Sequence, residues 1–177
     1  MVLSGGGAKG FAHVGVLKVL DSLGVKVDYI SGTSMGAIVG GLYASGYTGK
    51  DIEKIILDTD FYNLISNQNN RAESSFFNKS VDKYLLKVPI KNGKATLPTS
   101  ISSGQKNLYL LKELFKNVSN INDFSKLPIP FMCVATNLET GKIKIFENGD
   151  LSESILASSA FPSLMDPVKI GDSIYVD

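Results

Sequence analysis

Apolar residues along this chain come in short runs, and the breaks between them are rich in glycine. Val2-Leu3-Ser4 predicts a short buried strand that runs directly into Gly5-Gly6-Gly7-Ala8-Lys9-Gly10, which reads as a loop. Residues 11–23 carry Phe11, Val14, Leu17, Val19 and Leu20 broadly on one side, the spacing of a helix, and Gly24 follows as its C-cap. A second strand is predicted over 27–31, a small-residue helix over 37–45 stopped by Gly46, and a short helix over 51–57. That last helix is entered through Thr48-Gly49-Lys50 and has Ile52, Ile55 and Ile56 at helical spacing. Strand, helix, strand, helix with short connections implies parallel pairing and right-handed crossovers.

From 58 to 105 no period of 2 or 3.6 persists. Phe61, Tyr62, Leu64, Ile65, Phe76 and Phe77 are strewn through polar sequence, as in a long surface excursion that packs its aromatics on the core. The alternative is a lid or insertion whose aromatics line an acyl-chain groove. Regular patterning returns with a helix over 108–115, a buried strand over 131–136 opened by Pro130, an alternating strand over 142–146 and a short helix over 152–158. Pro162 and Pro167 mark a loop, and Lys169-Ile170 with 173–176 make a closing hairpin. No repeat or linker divides the series, so one domain is expected over 1–177, with 58–105 as an insertion within it.

Composition narrows the function classes. A chain of 177 residues, 44% hydrophobic, is long enough for one substantial core and too short for two. A net charge of +1, with Lys and Arg dispersed, leaves no electrostatic footprint for nucleic acid. Cys133 stands alone inside Phe131-Met132-Cys133-Val134-Ala135, which excludes a disulfide framework and a cysteine-based zinc site and suits a reducing compartment. No charged leader with an apolar stretch opens the sequence, and no apolar run reaches the roughly 18 to 20 residues of a membrane span. A cytoplasmic protein whose contact with lipid is peripheral is the expectation.

The chemistry centres on Gly32-Thr33-Ser34-Met35-Gly36, a Gly-x-Ser-x-Gly motif between a predicted strand and a predicted helix. Such a turn is sharp enough to exclude side chains two residues either side of the serine, and it leaves the hydroxyl exposed at a helix N-terminus. Gly5-x-Gly7-x-x-Gly10 formally matches a dinucleotide fingerprint, but Asp28 would lie at the wrong end of its strand to hold a ribose. Three glycines at a helix N-terminus also suit an oxyanion, and Gly5, Gly6 and Gly7 with the Met35 N–H are candidate donors. Without Ser34, a tight turn that merely needs glycine would be the preferred reading of the same residues. The only histidine, His13, falls several residues into its helix and reads as structural, so a serine nucleophile here needs a carboxylate base whose pKa the site raises.

Four stretches together resemble the patatin-like phospholipases, serine acyl hydrolases that use a Ser-Asp dyad. Gly5 to Gly10, with the basic Lys9, resembles the family's oxyanion loop, and Gly32 to Gly36 its nucleophile motif. Ala157-Ser158-Ser159-Ala160-Phe161-Pro162 with Pro167-Val168 resembles the approach to its last motif, and Tyr175-Val176-Asp177 the start of that motif. The resemblance implies a three-layer α/β/α sandwich with a mainly parallel central sheet. It further implies Ser34 as nucleophile, Asp177 as general base and acid, an oxyanion hole from the glycine loop, a lipid or acyl-ester substrate, and no metal or organic cofactor.

The departures are specific. Asp177 is the last residue, so the glycine that follows the family's aspartate is absent, and a domain lacking its C-terminal part is expected. Leu164-Met165-Asp166 stands where a more apolar and aromatic run belongs, and Asn137 replaces an aspartate. A non-catalytic acyl- or lipid-binding protein on the same fold, and a nucleotide-binding α/β protein, are the alternative classes.

Overall fold

The computed structural model describes residues 1–61, 64, 90–91, 94–95 and 102–177. Most of the insertion expected over 58–105, with Tyr62, Ile65, Phe76 and Phe77, lies outside the described residues. Strand β1 (Val2–Leu3) is followed by a 3₁₀ turn over Gly7–Phe11, then helix α1 (Ala12–Ser22), β2 (Ile30–Thr33), α2 (Met35–Ala44) and α3 (Gly49–Asp58). After a two-stranded ribbon, β3 (Ile90–Lys91) and β4 (Lys94–Ala95), come α4 (Gln105–Leu114), β5 (Phe131–Asn137), β6 (Ile143–Phe146), α5 (Leu151–Ser158), β7 (Val168–Ile170) and β8 (Ser173–Val176).

Local chemistry sets the helix ends. Gly24, at φ 65°, closes α1 with two bonds, its own N–H to the Asp21 carbonyl and the Val25 N–H to that of Leu20. Gly46 repeats the device on α2, and both are Schellman caps that satisfy carbonyls the helix leaves open. Helix α3 starts two residues earlier than its apolar spacing indicates. Thr48 Oγ1 accepts from the Asp51 N–H while the Asp51 carboxylate accepts from the Thr48 N–H, a reciprocal cap that recruits Gly49 and Lys50. The loop expected over 5–10 winds into the 3₁₀ turn in its second half.

The fold is α/β, with a central sheet whose middle strands run parallel and with flanking helices. Strands β1, β2 and β5 advance across the sheet in one direction, and right-handed crossovers then place α1 and α2 on one face. That face is the core: Ile30, Phe131 and Cys133 point into it, and α2 packs on β2 with Val39 and Leu42 fully buried. Gly40 and Gly41 let α2 approach closely, since a Cβ at Gly40 would stand 2.9 Å from Ile30 Cγ2. Each fully buried Leu, Ile or Phe contributes about 1.5 to 3 kcal/mol. On the other face Val2, Ile143 and Ile145 are exposed.

Cys133 is fully buried, and burial pushes its thiol pKa up to about 12. Maleimide or disulfide reagents are therefore expected to leave the native protein unlabelled and to react once it is unfolded in guanidinium. Stoichiometric labelling of folded protein by mass spectrometry is the contrary result.

Candidate active site

The register of β5 brings together residues distant in sequence. Along one edge, Phe131–Val134 pairs with β2, and further along Thr136 and Asn137 pair with β8 running the opposite way. Strand β6 occupies the other edge. Thr33 lies opposite Val134 and Val176 opposite Thr136, so the ends of β2 and β8 face each other across the position of Ala135. The next residues, Ser34 and Asp177, meet there: Ser34 Oγ donates to Asp177 Oδ2 over 2.5 Å.

Ser34 is one of two non-glycine residues with positive φ among those described, at φ 55° and ψ −124°, immediately before α2. Steric crowding explains its flanks. A Cβ at Gly32 would strike the Gly36 carbonyl and stand 2.7 Å from Ala37 Cα, and one at Gly36 would strike the Leu3 carbonyl. Met35 is the first residue of α2, so its N–H has no partner within the helix and the positive end of the helix lies beside Ser34.

The glycine loop abuts the serine. A Cβ added at Gly5 would lie 3.0 Å from Ser34 Cβ and 3.7 Å from its Oγ. Gly6 has φ 144° and Gly7 φ 54°, backbone that L side chains rarely adopt. Gly10 is buried under Met35. Lys9 is exposed and does not line the cavity described below. His13 donates from Nε2 to the Ser4 carbonyl at 3.0 Å, tying α1 to the base of the glycine loop rather than to Ser34. Asp28 is exposed ahead of β2, at the end of the strand away from that loop.

Asp177 is half-buried, and burial raises its carboxyl above the usual carboxylate range while the Ser34 hydrogen bond pulls the other way. Both residues open into a cavity of about 690 Å3. Its walls are apolar: Ile38 and Leu42 of α2, Ile55 of α3, Leu110 and Leu114 of α4, and Phe161 of the loop after α5. Leu164 and Met165 join the wall, and that stretch docks through a Ser102 N–H bond to the Leu164 carbonyl, 3.0 Å, and an Asp166 N–H bond to the Ser102 carbonyl, 2.9 Å. Asn137 has a turn-forming part. Its Oδ1 accepts from the N–H groups of Glu139 and Thr140, ordering the β5–β6 connection.

Sequence reasoning assigned no part to Ser158, which is fully buried and bonded to Ser34. The helix predicted over 108–115 carries no sign that Leu110 and Leu114 of α4 line a cavity.

The fold and the strand-to-helix turn place the chain among α/β proteins that present a serine between a strand and a helix. The model of the patatin-like phospholipase family matches residues 1–177, and the chain belongs to that family. Over 177 residues it is 29% identical to an uncharacterized NTE family protein of Mycobacterium tuberculosis, covering all of this chain and 41% of that protein. It is 32% identical over 177 residues to the lysophospholipase NTE1 of Debaryomyces hansenii, again covering all of this chain and 10% of the relative. The chain thus spans less than half the length of these relatives. Among solved structures it matches VipD from Legionella pneumophila with a TM-score of 0.61 at 17% identity, over 99% of this chain and 45% of that one. ExoU from Pseudomonas aeruginosa matches with a TM-score of 0.51 at 16% identity, over 93% of this chain and 39% of that one. Both structural matches are likenesses of fold.

Proposed function

We propose that this chain forms the catalytic part of a lipid acyl hydrolase of the phospholipase A type, with Ser34 as nucleophile and Asp177 as its general base. The 2.5 Å bond from Ser34 Oγ to Asp177 Oδ2, in the lining of an apolar cavity, carries the reading. Support also comes from the family, a phospholipase family, and from the Debaryomyces hansenii relative, which is named a lysophospholipase.

In this mechanism Ser34 Oγ attacks the ester carbonyl carbon and its proton passes to Asp177. The carbonyl oxygen becomes an oxyanion, held by backbone N–H groups of the Gly5–Gly7 loop and of Met35. One such donor is worth about 3 to 4 kcal/mol of barrier. The tetrahedral intermediate collapses, the C–O bond to the alcohol breaks, and Asp177 returns the proton to the departing oxygen. Water, deprotonated by Asp177, then attacks the acyl-enzyme, and the fatty acid leaves with Ser34 reprotonated. The dyad requires no metal or organic cofactor. Lipid would be met at a membrane surface, and among the described residues no helix is long and apolar enough to cross one.

A p-nitrophenyl ester series run on the full-length protein tests the assignment of the cavity to the acyl chain. Burial of one methylene contributes about 0.8 kcal/mol, so kcat/KM should climb about fourfold per carbon until the cavity is filled. A profile that is flat, or that favours acetate, would remove the acyl chain from the cavity.

A further inference from the structure

We infer that Ser158 is the positioning residue of the nucleophile, its hydroxyl clamping the elbow to the central strand; this rests on the dyad reading above. As the residue between β2 and α2, Ser34 has no place in a strand ladder or a helical turn for its own N–H. That N–H donates instead to Ser158 Oγ at 3.0 Å. The Ser158 hydroxyl has one proton, and it goes to the Val134 carbonyl at 2.5 Å. With the proton committed to β5, only a lone pair can face Ser34, so the polarity of the clamp is fixed. Val134 is the strand partner of Thr33, the residue before the nucleophile, so a single hydroxyl bridges the elbow to the strand beside it.

This is where a clamp is needed. Ser34 adopts a backbone conformation that costs a non-glycine residue energy, and such conformations persist only where the surroundings over-determine them. The same end of α5 also holds the other partner: two residues beyond Ser158, the Ala160 carbonyl accepts from the Asp177 N–H at 3.0 Å. One three-residue stretch thereby sets the approach of Oγ to Oδ2. Ser158 itself stays out of the cavity wall, whereas Ser159 is part of it. Loss of the Ser158 hydroxyl should therefore disturb attack geometry and leave substrate binding alone.

The test is steady-state ester hydrolysis by the full-length protein carrying Ser158→Ala, with Ser154→Ala as the comparison. Ser154 is equally buried on α5, but its hydroxyl donates to the Asp150 carbonyl within its own helix, so it reports the cost of an emptied serine site without the clamp. For Ser158→Ala we expect kcat to fall about 10²-fold, the scale of a 1 Å misplacement, with KM within about twofold of wild type. Ser154→Ala should keep kcat. Wild-type kcat in folded Ser158→Ala, or an equal loss in both variants, would overturn the clamp. If Ser158→Ala does not fold, Ser158→Cys, which keeps the shape and weakens the acceptor, takes its place with the same two outcomes. Activity that survives Ser34→Ala would mark a failure of the dyad reading, and labelling of Ser34 by a fluorophosphonate separates that case from failure of the clamp.

Discussion

Ser34→Ala is expected to reduce ester hydrolysis to background, a fall of at least about 10⁴-fold in kcat, because among the described residues no other hydroxyl bonds to Asp177 from the same place. Ser159 also lines the cavity, but its one hydroxyl proton is taken up within its own helix, where the Ile155 carbonyl lies at 3.0 Å. Fold and cavity should survive the change. Alanine at φ 55° is about as strained as serine, and the Ser34 N–H keeps its bond to Ser158. Circular dichroism and melting should thus match wild type while p-nitrophenyl ester turnover and fluorophosphonate labelling vanish together. Retained turnover in the folded variant would assign the chemistry to another residue.

Asp177→Asn is expected to cost about 10² to 10⁴-fold in kcat, the usual contribution of a positioned base, and to change the pH response as well. Burial raises the Asp177 carboxyl, so in the wild type kcat/KM should rise with pH through a limb lying above the ordinary aspartate range near 3.9. The variant should lack that limb. Stability carries the opposite sign from that of a salt-bridged aspartate. The folded protein holds the proton more tightly than the unfolded chain, so this group stabilises most below its unfolded pKa. That contribution is lost as pH rises through the raised folded value. Above the raised folded value the ionised carboxylate is therefore a cost that asparagine relieves, and Asp177→Asn should melt at or above the wild-type temperature in that pH range. A clear loss of melting temperature there would contradict the burial argument.

How much of this was legible in the sequence depends on the range of the forces involved. The elbow could be read from five residues because its constraint is steric and local: Gly32 and Gly36 crowd the atoms of the same turn and the adjacent strand. Gly24 and Gly46 as helix stops belong to the same kind, since a Schellman cap closes within six residues. Apolar spacing puts the start of α3 two residues late, because its cap is made by polar Thr48 and Asp51, which such spacing does not register. Asp177 as partner of Ser34 came from resemblance, because nothing within the turn names a carboxylate 143 residues away.

The sequence by itself determined the α/β order of elements, the serine turn with its glycines and the buried cysteine strand, all of which follow from periodicity and backbone sterics. Only the tertiary structure decided the distance between Ser34 and Asp177, the seat of Gly5 against Ser34, the walls of the cavity and the hydrogen bonds of Ser158. Each of these depends on the register of β5, where β2 and β8 end against one another. Register is set by packing a whole face of the sheet, and no local run of residues encodes it.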